Sequence, residues 1–410
     1  MRTILHSDMN NFYASVECLY NPKLRQVPMA VVGDVEQRHG IVLSKNEIAK
    51  KCGVQTGEPL WAARQKCAEI QFVHPHYDRY LMYSRYSREI YARFTDQIET
   101  MGLDEAWLDV TGSGVYGTGE QIADLIRATM KEELGLTVSV GVSFNKIFAK
   151  LGSDMKKPDA TTVITDSNYR EKVWLQPVGN LLFCGRATVK ALARYAIFTI
   201  GDLANADEKL IGYVLGKNGI KLRNYANGLD GSAVMRAGDI PAMKSVGNST
   251  TPPRDLVSMD DVRLTLWALC DKVAARLRRY GLCCRTAVLY IRDFRLQSYE
   301  RQMRLNYPVC NAYDLFGAAY DLFSGHHDLS ERPVRSLGVR ACSLCEQGDV
   351  QLSFMPDVMH SQRSEQLERT VDKLRDRFGR DCVTRGLLLC DRDKLVDSLI
   401  NDKLESEDYF

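Results

Sequence analysis

The sequence predicts an α+β protein of several domains, in which a βαββαβ arrangement of the ferredoxin type occurs twice with a compact helical stretch between the copies. Three observations lead there. Short apolar runs alternate with longer amphipathic ones over residues 1–165. Residues 170–230 keep a helical period broken by Gly179, Gly185 and Gly201. The strand, helix, hairpin, helix, strand order then returns over 244–345. A chain of 410 residues has room for roughly two to four domains of about 100–200 residues. Its 45% hydrophobic and 26% charged residues are those of a folded globular chain rather than a disordered one.

Thr3 to Asp8 is the first strand, and Phe12 to Leu19 is a helix that stops at Asn21-Pro22. Met29 to Gly33 and Gly40 to Ser44 are short buried strands. Glu47 to Cys52 and Pro59 to Cys67 are helical, and Tyr77 to Tyr91 is a long helix rich in Tyr and Arg. Ile98 to Val110 is expected as one strand-like run, with Asp104-Glu105 inside it. Ile122 to Leu134 is a helix, Thr137 to Val142 a strand and Asn145 to Leu151 a helix. In a split βαβ core the strands bearing Asp8 and Asp104-Glu105 are adjacent, so their carboxylates face one another.

Short helical hairpins over 170–230 present helix N-terminal amides, which hold phosphate without reading sequence; a purely structural helix pair is the other reading. Residues 231–243 form a linker. Lys244 to Thr251 is a strand, Met259 to Tyr280 an amphipathic helix, and Thr286 to Ile291 with Gln297 to Leu305 a hairpin. Tyr313 to Phe323 is a helix and Val334 to Cys342 the last strand. The remainder, with a charged helix over Ser364 to Phe378, is expected to be a solvated acidic tail.

The net charge of +2 is unevenly spread. Residues 231–345 carry +5, with Arg supplying fourteen of sixteen cations, and residues 346–410 carry −5. Arg makes bidentate phosphate contacts that Lys cannot, so the basic module suits a nucleic-acid backbone; a salt-laced surface is the alternative. No apolar run reaches the roughly 18 residues of a membrane span, and no signal peptide is expected ahead of the first strand. Twelve Cys without dense spacing suggest reduced thiols of the cytosol. Cys342-Ser-Leu-Cys345 has no second pair, so zinc is not expected.

The informative acids are Asp8, Asp104 and Glu105. Three anions at one sheet edge repel one another unless a divalent cation neutralises them. Mg²⁺ prefers oxygen ligands and combines a few carboxylates with substrate phosphates, which points to metal-assisted phosphoryl transfer. Solvated loop acids are the plainer reading.

Asp8-Met9-Asn10-Asn11-Phe12-Tyr13-Ala14-Ser15-Val16-Glu17, taken with Leu103-Asp104-Glu105-Ala106-Trp107-Leu108-Asp109, resembles the Y-family translesion DNA polymerases. Gly141-Val142-Ser143-Phe144-Asn145-Lys146, Ala149-Lys150, Ser153-Asp154-Met155-Lys156-Lys157-Pro158 and Thr199-Ile200-Gly201-Asp202-Leu203 extend the match over roughly residues 1–345. The resemblance implies a multidomain right-hand polymerase. Residues 1–10 and 76–165 would be a ferredoxin-like palm, 11–75 small fingers, 166–232 a helical thumb, 244–345 a βαββαβ little finger and 346–410 a tail.

It also implies roles. Asp8, Asp104 and Glu105, with the Met9 carbonyl, would hold two Mg²⁺ ions, Mn²⁺ being a substitute. Tyr13 would be a steric gate against a ribose 2′-hydroxyl, and Ile41, Leu43 and Ser44 a roof over the nascent base pair. The amides of Asn11 and Phe12, with Lys50 and Lys157, would face the dNTP triphosphate. Asp109 would be a strand-end structural acid. Where the family often has Asn-Tyr-x-Ala-Arg, this chain has Asn46-Glu47-Ile48-Ala49-Lys50, so the cation stays but the guanidinium fork is lost. Glu47 is then expected to point away or to pair with Lys50 or Lys51. Cys184-Gly185 stands where a richer Gly turn is common.

Gly185, Arg186, Ser249, Thr250, Arg335 and Arg340 would contact primer-template DNA. Gln351-Leu352-Ser353-Phe354-Met355 resembles a motif for the bacterial sliding clamp. The implied enzyme is a monomer of the bacterial cytoplasm, working at the nucleoid with low fidelity and no proofreading. A nucleotidyl cyclase on a similar palm would need no DNA-binding modules. An inactive DNA- or replisome-binding homologue would lack the carboxylates, which this chain keeps.

Overall fold

A computed structural model describes residues 2–34, 38, 40–239, 242–347, 356–379, 382–391, 394–396 and 399. Two compact units emerge, the first built mainly from Met1–Gly33 and Ile41–Ile240 and the second from Pro241–Glu405.

In the first unit the elements run β1 (Ile4–Met9), α1 (Phe12–Tyr20), β2 (Met29–Val32), β3 (Val42–Lys45), α2 (Glu47–Lys51), α3 (Leu60–Lys66), β4 (Gln71–Val73), α4 (Tyr77–Tyr91), β5 (Ile98–Met101), β6 (Glu105–Asp109), α5 (Gly119–Thr129), β7 (Val138–Ser143), α6 (Lys146–Met155), β8 (Thr161–Val163), α7 (Tyr169–Val173), α8 (Arg186–Ala193), α9 (Ile200–Asn205) and α10 (Glu208–Ala226). A five-stranded sheet has the order β5-β6-β1-β7-β8, and a three-stranded sheet the order β3-β2-β4. Every residue of β1 is buried, as a central strand covered on both faces requires. Alternation splits it: Leu5 and Met9 join the core made with α4 and α5, while Ile4 packs with Trp107, Ala149 and Val234 on the side of α6.

The expected single run over Ile98 to Val110 is a hairpin. Gly102, at φ +75, supplies a left-handed turn open to glycine at no steric cost, and β6 returns antiparallel to β5. Strands β4 and β8 are three residues each, too short for alternation to reveal them. Gly141 of β7 fixes α6 against the sheet, because a Cβ there would collide with the Ala149 carbonyl and the Ser153 amide nitrogen. The helices α7 to α10 share one core with Ile147, Phe148 and Leu151 of α6, and α10 is kinked at Gly216.

The second unit contains β9 (Ser245–Thr250), α11 (Met259–Arg279), β10 (Leu282–Asp293), β11 (Ser298–Val309), α12 (Ala312–His326), β12 (Val334–Glu346) and α13 (Pro356–Phe378). Its sheet order is β11-β10-β12-β9. Strands β10 and β11 form a longer hairpin than expected, reaching from Leu282 to Asp293 and from Ser298 to Val309.

The solvated tail is a misreading. Arg278, buried in α11, donates to Glu368 at 2.5 Å and to both Asp372 oxygens at 2.6 and 2.8 Å. Glu368 also accepts from the Ala312 amide at the start of α12, where a carboxylate meets the positive end of the helix. Leu388, Leu395, Val396 and Leu399 complete the apolar core of the unit. Acidic composition concealed this docking, since each inward acid has a buried cationic or amide partner.

Candidate active site

The antiparallel ladder of β1 and β6 sets Asp8 opposite Glu105, and the Met9 amide donates to the Asp104 carbonyl at 3.0 Å. Asp104 closes the β5–β6 turn, so residues nearly a hundred positions apart meet at one sheet end. Asp8 is 6% exposed. Burial, then the nearby charges of Asp8 and Glu105, push the Asp104 carboxyl up to about 7. Burial works against the charge of Glu105 as well, but its contacts with His6 and Lys150 outweigh that and hold it below the usual carboxylate range. Neighbouring acids shifted in opposite directions occur at functional sites and in structural ion-pair networks alike.

Five residues not foreseen as site members surround these acids. The Lys150 ammonium of α6 lies 3.2 Å from Asp8, 3.1 Å from Glu105 and 3.2 Å from Asp154. His6 is fully buried; its Nδ1 is 2.9 Å from Ser153 Oγ. That hydroxyl donates to the Lys150 carbonyl, and on the other side of the ring Nε2 faces Glu105 Oε2 at 3.3 Å. Trp107 closes on the His6 ring edge-on. Lys150 and Asp154 were visible as a helical i,i+4 pair, and His6 lies two residues before Asp8 on the same strand face.

Among the described residues no three acidic, His or Cys side chains are gathered tightly enough to clasp an ion as they stand; Asp8 and Glu105 turn to Lys150. The donor set nonetheless fits a hard divalent cation. It is all oxygen, and the buried Glu105 Oε2 is held by the ionic contact with Lys150 at 3.1 Å rather than by a well-aligned hydrogen bond.

The nucleotide-facing candidates are unequal. Asn11 adopts a left-handed conformation at φ 50 as the N-cap of α1, and the first-turn amides of a helix are left open by geometry. Its side chain donates to Glu47 Oε1 at 2.8 Å, and Lys50 lies 3.5 Å from the same oxygen. Glu47 thus pairs with Lys50 and Asn11. Lys157 reaches Asp8 at 2.7 Å and Asp154 at 2.9 Å. Phe12 is core, at 3% exposure. The ring of Tyr13 packs on that of Tyr80, whose hydroxyl donates to the buried Glu17 at 2.6 Å. Ile41 is exposed and bridges to Pro59, Leu43 packs against the core shared by α1 and β2, and Ser44 Oγ accepts from the Ala14 amide at 3.3 Å. Asp109 accepts from the Thr111 amide and hydroxyl as a strand-end acid.

Gly185 is the N-cap of α8, and Gly185 and Arg186 are exposed. In the second unit, the sheet face away from α11 carries Ser249, Arg292, Arg304 and Arg340. Arg340 lies over Gly247, which has room for it only without a Cβ, and pairs with Glu300 at 2.6 Å. Arg335 is half-buried. Thr250 must be withdrawn as a DNA contact: it alternates inward from Ser249 and is 5% exposed. Gln351, Leu352, Ser353, Phe354 and Met355 lie outside the described residues.

Residues 7–154 match the impB/mucB/samB family, and residues 243–354 its C-terminal domain. A DNA polymerase IV of Acetivibrio thermocellus is 48% identical over 393 residues, covering 95% of this chain and 98% of that protein. The chain belongs to the Y-family of DNA polymerases. A DNA polymerase IV of Clostridium acetobutylicum is 34% identical, over 95% of this chain and 98% of that protein. Among solved structures, the Y-family DNA polymerase chimera Dbh-Dpo4(243-245)-Dbh shares the fold with a TM-score of 0.71 at 22% identity, covering 84% of this chain and 99% of that one. The α+β, multidomain right-hand architecture and the DNA-directed DNA polymerase class of a translesion family follow. Among the described residues no helix is long and apolar enough to cross a membrane.

Proposed function

We propose that this polymerase extends a primer on a DNA template from dNTPs, as a low-fidelity monomer without proofreading, in the bacterial cytoplasm at the nucleoid. One observation carries the reading: Asp8 and Glu105 are register partners on neighbouring strands, with Asp104 in the adjoining turn. Asp8, Asp104, Glu105 and the Met9 carbonyl would hold two Mg²⁺ ions, with Mn²⁺ as substitute. Bound there, the metal supplies Lewis acidity toward the primer 3′-hydroxyl and neutralises charge on departing pyrophosphate.

The chain's own residues position the substrates, which is where most of the rate enhancement of such a reaction arises. The amides of Asn11 and Phe12 and the Lys157 ammonium attract the triphosphate. Lys50, shared with Glu47, contributes a weakened grip. Tyr13 excludes a 2′-hydroxyl, while Ile41 with Leu43 and Ser44 covers the nascent pair. Gly185 and Arg186, with Ser249, Arg335 and Arg340, contact backbone phosphates, which sets register without reading sequence.

Asp104→Asn with Glu105→Gln should abolish Mg²⁺-dependent primer extension while leaving DNA affinity within about twofold, since phosphate contacts dominate that affinity. Extension at the parental rate would overturn the assignment. Gln351 to Met355 would engage a sliding clamp. Alanines at Leu352, Phe354 and Met355 should remove clamp stimulation and spare basal synthesis, and unchanged clamp affinity would discard the motif.

A further inference from the structure

Lys150 has no part in the reading above, yet its ammonium is held by three carboxylates at once. Its side chain is 12% exposed and within 3.2 Å of Asp8, Glu105 and Asp154. Its backbone cannot retreat, because Gly141 brings α6 into direct contact with β7. The His6–Ser153 pair closes the inner side, Ser153 donating to the Lys150 carbonyl. Asp8 also accepts from Lys157 at 2.7 Å, but only Lys150 touches both Asp8 and Glu105, which would otherwise face one another across the ladder as like charges. Asp154 differs: at 46% exposed it sits one helical turn on, a water-facing partner for the same ammonium.

We propose that Lys150 is the internal counter-cation of the carboxylate site, bridging Asp8 and Glu105 until a divalent cation enters and then shifting to Asp154. The inference rests on the metal-site reading and adds to it. An ammonium and a metal ion compete for the same oxygens, and Lys150 keeps those oxygens gathered in the interval between them. Lys150 is therefore a positioning residue, acting through Asp8 and Glu105.

The test measures metal binding directly, by electron paramagnetic resonance titration of the full chain with Mn²⁺, beside thermal melting in EDTA. Lys150→Met should melt lower than the parent in EDTA and bind Mn²⁺ about threefold to tenfold more tightly, since the competing charge within about 4 Å is gone. Lys150→Arg should restore the melting temperature. Asp154→Asn should weaken Mn²⁺ binding, because the displaced ammonium has lost its second partner; this holds the proposal open to refutation if Lys150→Met does not fold. Unchanged or weaker Mn²⁺ binding in Lys150→Met, or unchanged binding in Asp154→Asn, overturns it. The metal-site reading fails separately, if Asp104→Asn with Glu105→Gln binds Mn²⁺ as tightly as the parent.

Discussion

The ring of Tyr13 lies flat on that of Tyr80, with 4.2 Å between centroids and 9° between planes. Tyr80 cannot shift, being fully buried with its hydroxyl on Glu17, which also takes Arg79 and His76. The proposed gate is therefore backed by a fixed wall, and its stiffness belongs to two helices rather than to one side chain.

That arrangement makes a graded prediction. Tyr13→Ala should raise the ratio of ribonucleotide to deoxyribonucleotide incorporation at least tenfold, which is roughly 1.4 kcal/mol of lost discrimination. Tyr80→Leu, which keeps the gate but removes its backing, should give a smaller rise. Single-nucleotide incorporation kinetics with matched rNTP and dNTP decide it; equal ratios in all three proteins would remove Tyr13 from the gate.

Gly141→Ala should be far more damaging than its size suggests. The added methyl meets backbone atoms of α6, so the helix must move as a unit. The expected loss is about 2–4 kcal/mol in urea unfolding, typical of overpacked core sites. Mn²⁺ binding should change too, because Lys150 moves with the helix. A variant as stable as the parent would contradict the close approach.

Arg278 offers a test of the docked tail. Removing one partner of a buried charge network leaves the others unpaired, at a cost of about 3–5 kcal/mol. Arg278→Ala should therefore destabilise the second unit and open the region after Phe378 to proteolysis. Replacing Arg278, Glu368 and Asp372 together with apolar residues should be milder. Limited proteolysis with mass spectrometry reports both.

Asp261 gives a pH dependence. Burial opposes its charge, but Arg254 and the Val257 and Ser258 amides hold its carboxyl down at about 2. A depressed folded-state pKa means stability that is present above the unfolded value near 4 and lost as pH falls through about 2. Asp261→Ala should cost about 1–2 kcal/mol at neutral pH through the lost cap. The gap to the parent should narrow between pH 4 and 2. A gap independent of pH in acid titrations of stability would assign the effect to packing alone.

What the sequence disclosed depended on how local each signal was. Asp8 with Tyr13, and Asp104 with Glu105, sit in contiguous motifs, and the βαββαβ order of residues 244–345 was visible from periodicity alone. The β5–β6 hairpin was not, because Gly102 is one residue in an otherwise extended run. Strands β4 and β8 are defined by their partners rather than by any pattern of their own. Lys150 looked like one more helix cation, since nothing in its neighbourhood along the chain shows that Asp8 lies opposite. The tail failed for the same reason: Glu368 is buried by Arg278, ninety positions away, while composition registers only acidity.

The position of β1 has a consequence for synthesis of the chain. The first strand to leave the ribosome is the middle of the sheet, and its two neighbours are not complete until Asp109 and Ser143 have been made. Its apolar residues, Ile4, Leu5 and Met9, must therefore wait through more than a hundred codons without a ladder partner. At about 5–20 residues per second that is roughly 5–20 seconds. During that interval β1 exposes apolar surface that a ribosome-associated chaperone could cover, and codons slowing translation before Ser143 would lengthen its exposure.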